Sequence, residues 1–400
     1  MKKIGILFLL MIFTGSVYSQ KSFDYILKAK ALYKAGKPED AVAILSEAIR
    51  SGQDHRLFLE RAEAFILTGN YSQAVNDFNS ASNLKSFSGE YGLSRIYALR
   101  GDAATALYHL ERNLNSPFKV TEKELMLDPA FTIIENRPEW RQFWKKERYG
   151  SYEKSMSEIE YYVSKGDIEE GKRIVSELRK SYPDKDENLY ASALISLKLA
   201  NYQEALKTIN NLIARYPDNE KYLRMLARAQ EGVSNPTGAS STYTKMLDLE
   251  VPDAEIYILR AECYRKTGEI TKALSDIEKY LDLYPEDKRS LSLAGKVVAA
   301  AGDNLKALDY FSRNLKLNPN DPDCYIDRAN AYFIARSWNW AIKDYSMALD
   351  LQPGNSDTWL NKGIALLNSG KVADACYDFR KSFSMGNKRA TEYISRNCIK

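Results

Sequence analysis

Two histidines, His55 and His109, four cysteines, and one tight group of acids at Asp321, Asp323 and Asp327 are the residues of this 400-residue chain whose types could carry acid–base, nucleophilic or metal chemistry. Each histidine reads as an ordinary surface or half-buried helix residue, because no glycine-rich phosphate loop, paired-cysteine zinc spacing or HExxH signature accompanies it. The three aspartates have the oxygen density of a calcium loop. They stand at the start of an expected helix, however, where capping and the helix dipole already account for acids. Glu169 and Glu170 read as a solvated helix face. The sequence therefore gives no catalytic residue, metal ligand or cofactor motif, and the chain reads as non-enzymatic.

The elements that carry these residues are set by a ruler of prolines. Pro183, Pro217, Pro285, Pro319 and Pro353 fall on one 34-residue comb, with Val251 and then Pro252 at the missing tooth. Such a period means a stack of helical hairpins, an all-α solenoid in which each unit leans on its neighbours to bury its apolar face. In the segment from Ala254 to Pro285, Tyr257, Ala261 and Tyr264 share one helix face, and Ala273, Ile277 and Tyr280 repeat that spacing on a second helix. Gly268 separates the two where a left-handed turn is needed, and Pro285 ends the second helix. The register runs forward through Leu291, Gly295 and Phe311, Tyr325, Ala329 and Tyr345, and Trp359, Gly363 and Phe379, and back through Leu189, Ala193 and Ala205. Between Ser234 and Gly238 the usual glycine step is replaced, so a longer or kinked corner is expected there.

Recurring together, these slots resemble the tetratricopeptide repeat: an aromatic, a small residue, a tyrosine, a glycine turn, an alanine, an aromatic and a proline in a 34-residue frame. The resemblance implies a right-handed superhelix of about ten repeats, whose first helices line a concave groove that binds protein or peptide. Phe58, Ala62, Phe65, Gly69, Tyr71, Ala74 and Phe78 make a clear early repeat. The comb is lost past Asn115, where two shorter helices carrying Leu125, Phe131, Trp140, Phe143 and Trp144 look like the closing piece of a short array. Two blocks follow from this: residues 20–148, three repeats plus closing helices, and residues 149–388, about seven repeats, ended by a capping segment at 389–400. Cys263 and Cys324 lie two repeats apart, too far for a bond. Cys376 and Cys398 lie on segments expected to run antiparallel, so a disulfide is expected, with two unlinked thiols packed as small apolar groups as the alternative.

Counting along the first helices, the groove lining expected is Glu262, Arg265, Lys266, Arg289 and Lys296, polar and mainly basic, followed by Ile326, Asn330, Phe333, Ile334, Leu360, Ile364 and Leu367, mainly apolar. An extended peptide with hydrophobic anchors and an acidic group suits that lining. The alternative is that Ile326, Phe333 and Leu360 are covered by the next turn of the solenoid. The clamp by which some relatives grip a terminal carboxylate does not carry over, because Ser292 and Asp327 occupy matching positions. Trp338 reads as packing, and Trp340 as a second contact surface outside the groove or a cover for a neighbouring seam.

Lys2 and Lys3, the apolar run Ile4 to Phe13 and the ending Val17, Tyr18, Ser19 have the layout of a secretory signal peptide at residues 1–19. The apolar run is shorter than the ~20 residues that span a bilayer. The expectation is an exported protein, soluble after cleavage with no transmembrane helix, in the periplasm or cell envelope, or secreted. Without Lys2 and Lys3 the 57 basic residues become 55 against 53 acidic, which offers no basic stripe for nucleic acid. The function expected is a protein-binding scaffold or adaptor of a bacterial envelope; the alternatives are a docked subunit of a secretion or assembly machine and an enzyme acting on envelope polymers.

Overall fold

The computed structural model describes residues 22–398, and the expected signal segment lies outside them. Among the described residues the regular structure is helical, without strands. The chain divides into two compact units that part between Ala254 and Glu255.

In the first unit, α1 (22–34) pairs with α2 (Pro38–Ser51), α3 (His55–Leu67) with α4 (Tyr71–Leu84), and α5 (Glu90–Leu99) with α6 (Ala103–Leu114). Two short helices follow, α7 (Glu122–Leu127) and α8 (Pro138–Phe143), with a 3-10 turn at Pro129–Phe131 between them. Phe131, Trp140, Phe143 and Tyr149 close over Ala106 and Leu110 as one core, and the Tyr149 hydroxyl donates to the Val120 carbonyl at 3.0 Å. Tyr149, the first residue of the block expected at 149–388, thus packs into the core of the helices before it. Three further hairpins complete the unit: α9 (Ser151–Lys165) with α10 (Ile168–Ser181), α11 (Glu187–Lys198) with α12 (Tyr202–Arg215), and α13 (Glu220–Gly232) with α14 (Pro236–Asp248).

The second unit holds four hairpins: α15 (Glu255–Thr267) with α16 (Ile270–Leu283), α17 (Lys288–Ala300) with α18 (Asn304–Leu317), α19 (Pro322–Ile334) with α20 (Trp338–Leu351), and α21 (Ser356–Asn368) with α22 (Val372–Ser384). A last helix, α23 (Ala390–Asn397), packs on α22. Its Tyr393 stacks on Phe379 at 5.0 Å, and Cys398 is bonded to Cys376 with alpha carbons 5.5 Å apart.

In the α17–α18 and α21–α22 hairpins a glycine on the first helix admits an aromatic ring from the second. A Cβ on Gly295 would lie 2.4 Å from the Phe311 ring, and one on Gly363 would lie 2.6 Å from the Phe379 ring. The corners turn through a left-handed residue, supplied by Gly166, Gly268, Gly302 and Gly370 and, in the same frame, by Ala200, Ser234 and Arg336 at φ near 57°. The corner expected to be longer or kinked at Ser234 is therefore of ordinary length. Ser234 takes the glycine's conformation, and the Asn235 side chain caps α14 by accepting from the Gly238 amide at 2.9 Å.

Candidate functional site

Which face of the second unit is the inner one follows from its contacts. First helices meet, α15 with α17 and α17 with α19, whereas no comparable contact joins α16 to α18 or α18 to α20. Helices packed more closely on one side than the other bend the stack toward that side, so the first helices form the inner face.

The charged half of the expected lining is largely self-neutralised there. Arg265 forks onto Glu262 at 2.8 and 3.1 Å. Burial alone would raise the Glu262 carboxyl, but the Arg265 hydrogen bonds, helped by the charges of Lys266 and Arg289, outweigh it and hold the group below its ordinary range. Arg289 pairs with Glu255 and Lys288 with Asp321, while Lys296 reaches Asp327 at 3.0 Å. These pairs run from one first helix to the next, sewing repeats together rather than waiting for an anion. Lys266 is exposed. The acids considered for metal binding have the same explanation: Asp321 caps α19 and holds Lys288, and Asp327 holds Lys296 and accepts from the Ser292 hydroxyl.

The apolar half is uneven. Ile334 is 61% exposed, and Ile326, Phe333, Ile364 and Leu367 are half-buried beside it in sequence or on the neighbouring first helix. Leu360 is a correction: it is fully buried in the core of Leu366, Ala375 and Phe379 and offers nothing to a partner. Asn330 accepts from the Tyr345 hydroxyl at 2.6 Å, and Phe333 lies edge-on to Trp338 at 5.1 Å, so both also brace their own hairpin. Trp340 is 57% exposed on α20, partly covered by Tyr332 stacking at 6.0 Å.

The histidines are in separate settings. His55 lies 3.3 Å from Asp54, and His109 is stacked on Tyr97 and bonded at 2.8 Å to the buried Glu90, which also holds Arg112. Cys324 is buried, its thiol pushed up to about 11 by burial and by Asp321, and so is a poor nucleophile.

A repeated feature escaped the sequence reading. Arg61 with Asp77, Arg260 with Asp276, and Arg328 with Asp344 form forked ion pairs at 2.7–2.9 Å across their hairpins, and each aspartate is buried. The last hairpin has Lys362 and Asp378 in the same places, 3.3 Å apart. The signal was a cation and an aspartate sixteen positions apart in each of these hairpins, hidden because charges were assumed to face solvent.

The tetratricopeptide-repeat family profile matches residues 26–83, 224–288 and 264–322, and a second profile of the same description matches residues 187–219. No curated protein matches. Among solved structures, a tetratricopeptide repeat protein from Parabacteroides merdae ATCC 43184 is 20% identical with a TM-score of 0.51, over 61% of this chain and 98% of that one. The C-terminal part of a repeat-containing protein from Cytophaga hutchinsonii is 15% identical with a TM-score of 0.48, over 59% and 98%. YrrB, described as having an unusual peptide-binding site, is 18% identical with a TM-score of 0.38, over 47% and 97%. With its hairpins, left-handed corners and small-to-aromatic contacts in one 34-residue frame, the chain is a helical solenoid, and tetratricopeptide repeats are matched within it over residues 26–83, 187–219 and 224–322.

Proposed function

We propose that this protein is an exported, non-enzymatic scaffold of a bacterial cell envelope that holds an extended segment of a protein partner against the inner face of its last two hairpins. The observation that carries this is the apolar patch on the first helices α19 and α21, where Ile334 is 61% exposed beside half-buried Phe333, Ile364 and Leu367. A partner anchors through its hydrophobic side chains there, since the neighbouring charges are already matched within the chain. Export rests on the layout of residues 1–19. Among the described residues, no helix is long and apolar enough to cross a membrane.

Tagged protein recovered from its native envelope tests the reading. The double substitution of Ile334→Asp with Leu367→Asp is expected to lose the partner while keeping helicity. Recovery of the same partner with the double variant would refute the groove.

A further inference from the structure

The seam between α10 and α11 is built differently from the others. Counting forward in steps of 34, Lys172 stands where Leu206, Leu274, Leu308 and Ile342 stand in later repeats, with Ser240 the small exception. Arg179 stands where Ile213, Leu247, Leu281, Leu315 and Leu349 do, of which Leu281, Leu315 and Leu349 are buried. From the facing helix Ser192 takes a slot that Leu226, Arg260, Arg328 and Lys362 fill with long side chains and that Ala294 leaves short. Two apolar fillers are thus replaced by cations that turn outward, and the opposite wall is cut back to a hydroxyl. What remains is an open cleft of about 480 Å³, with Val175 and Ile195 as its floor.

Its rim is cationic. Lys172 is held by Glu169, and Arg173 by Glu170 and Glu177. Arg179 donates to the Ser192 hydroxyl at 2.5 Å, and among the described residues neither Arg179 nor Lys180 forms an ion pair. Two cations without an acid partner thus stand together at the rim of an apolar-floored hollow.

We propose that this cleft binds an acidic peptide segment, with a carboxylate between Arg179 and Lys180 and an adjacent aliphatic side chain on the Val175 and Ile195 floor. Its size falls in the range of small-ligand sites, ~300–1,000 Å³. A bare phosphate would meet the rim cations and leave the floor hydrated, whereas an aliphatic residue flanked by glutamate or aspartate matches both. The site lies in the first unit and is independent of the proposed groove in the second.

The test uses the full chain and a fluorescein-labelled hexapeptide alternating leucine and glutamate, read by anisotropy, with a leucine–glutamine counterpart and inorganic phosphate as controls. Arg179→Leu is expected to weaken binding by roughly tenfold or more. It is also expected to raise the melting temperature, because leucine fills the seam as Leu281 does in its own. Ser192→Leu closes the cleft without altering charge and is expected to abolish binding, while Ile334→Asp leaves it unchanged. Equal binding of the glutamine peptide, displacement by phosphate, unaltered binding by Ser192→Leu, or a lower melting temperature for Arg179→Leu would each overturn the proposal, the last by showing the arginine to be structural.

Discussion

Lys362 is the weak member of the buried ion pairs. Where Arg328 grips Asp344 with two hydrogen bonds at 2.7 and 2.9 Å, Lys362 offers a single point charge 3.3 Å from Asp378. Burial pushes the Asp378 carboxyl up to about 6, only partly offset by Lys362. An unfolded aspartate titrates near ~3.9. The folded chain therefore retains a proton that the unfolded chain has released, and this contribution to stability is full below about pH 4, falls as the pH rises toward 6, and is flat above. Lys362→Arg supplies the fork seen in the other hairpins. It is expected to flatten that decline and to stabilise the protein by about 1 kcal/mol at neutral pH, measured by denaturant titration between pH 4 and 7.5. The left-handed corners give a second prediction at this scale. Ala200, Ser234 and Arg336 carry side chains where seven other corners have glycine. Each change to glycine is expected to stabilise by roughly 0.5–1 kcal/mol, the left-handed penalty of a side chain less the added freedom of the unfolded chain.

At the scale of the element, the hairpin depends on a small residue facing a large one. Gly295→Ala would drive a methyl to within 2.4 Å of the Phe311 ring and is expected to cost about 1–3 kcal/mol, whereas an exposed alanine substitution in the same helix costs little. The end of the array depends on α23, tethered through Cys376 and Cys398 across a separation of 22 residues. Replacing both with serine is expected to remove roughly 3 kcal/mol, seen first as faster amide exchange in α23 rather than as loss of the whole second unit. Much of this level was legible in the sequence, because the period, the glycine turns and the Ala, Gly and aromatic slots are local patterns in a fixed frame. The corner at Ser234 was misjudged because a glycine was taken as necessary, when a short polar residue can adopt the same φ and its neighbour Asn235 can cap the next helix. Leu360 was placed in the groove by counting alone. Its burial depends on how Phe379 and Ala390 close around it, which a helical period does not report. The ion pairs were missed for the opposite reason: their partners are distant in a hairpin although constant in spacing.

At the scale of the whole molecule, two units share one repeat but differ in what they expose. The second presents an apolar patch beside charges already matched, and the first has its unfilled seam at α10 and α11. In a solenoid each hairpin contacts mainly its neighbours, so surface changes in one unit leave the other's binding intact. The most direct test of the central claim is photo-crosslinking in the native host from a light-activated residue placed at Ile334, with Trp340 on the outer helix α20 as the comparison site. The account predicts a discrete adduct from Ile334 that disappears when Leu367→Asp is added, and none from Trp340. Adducts from Trp340 alone, or an Ile334 adduct indifferent to Leu367, would contradict it and place the partner on the outer face.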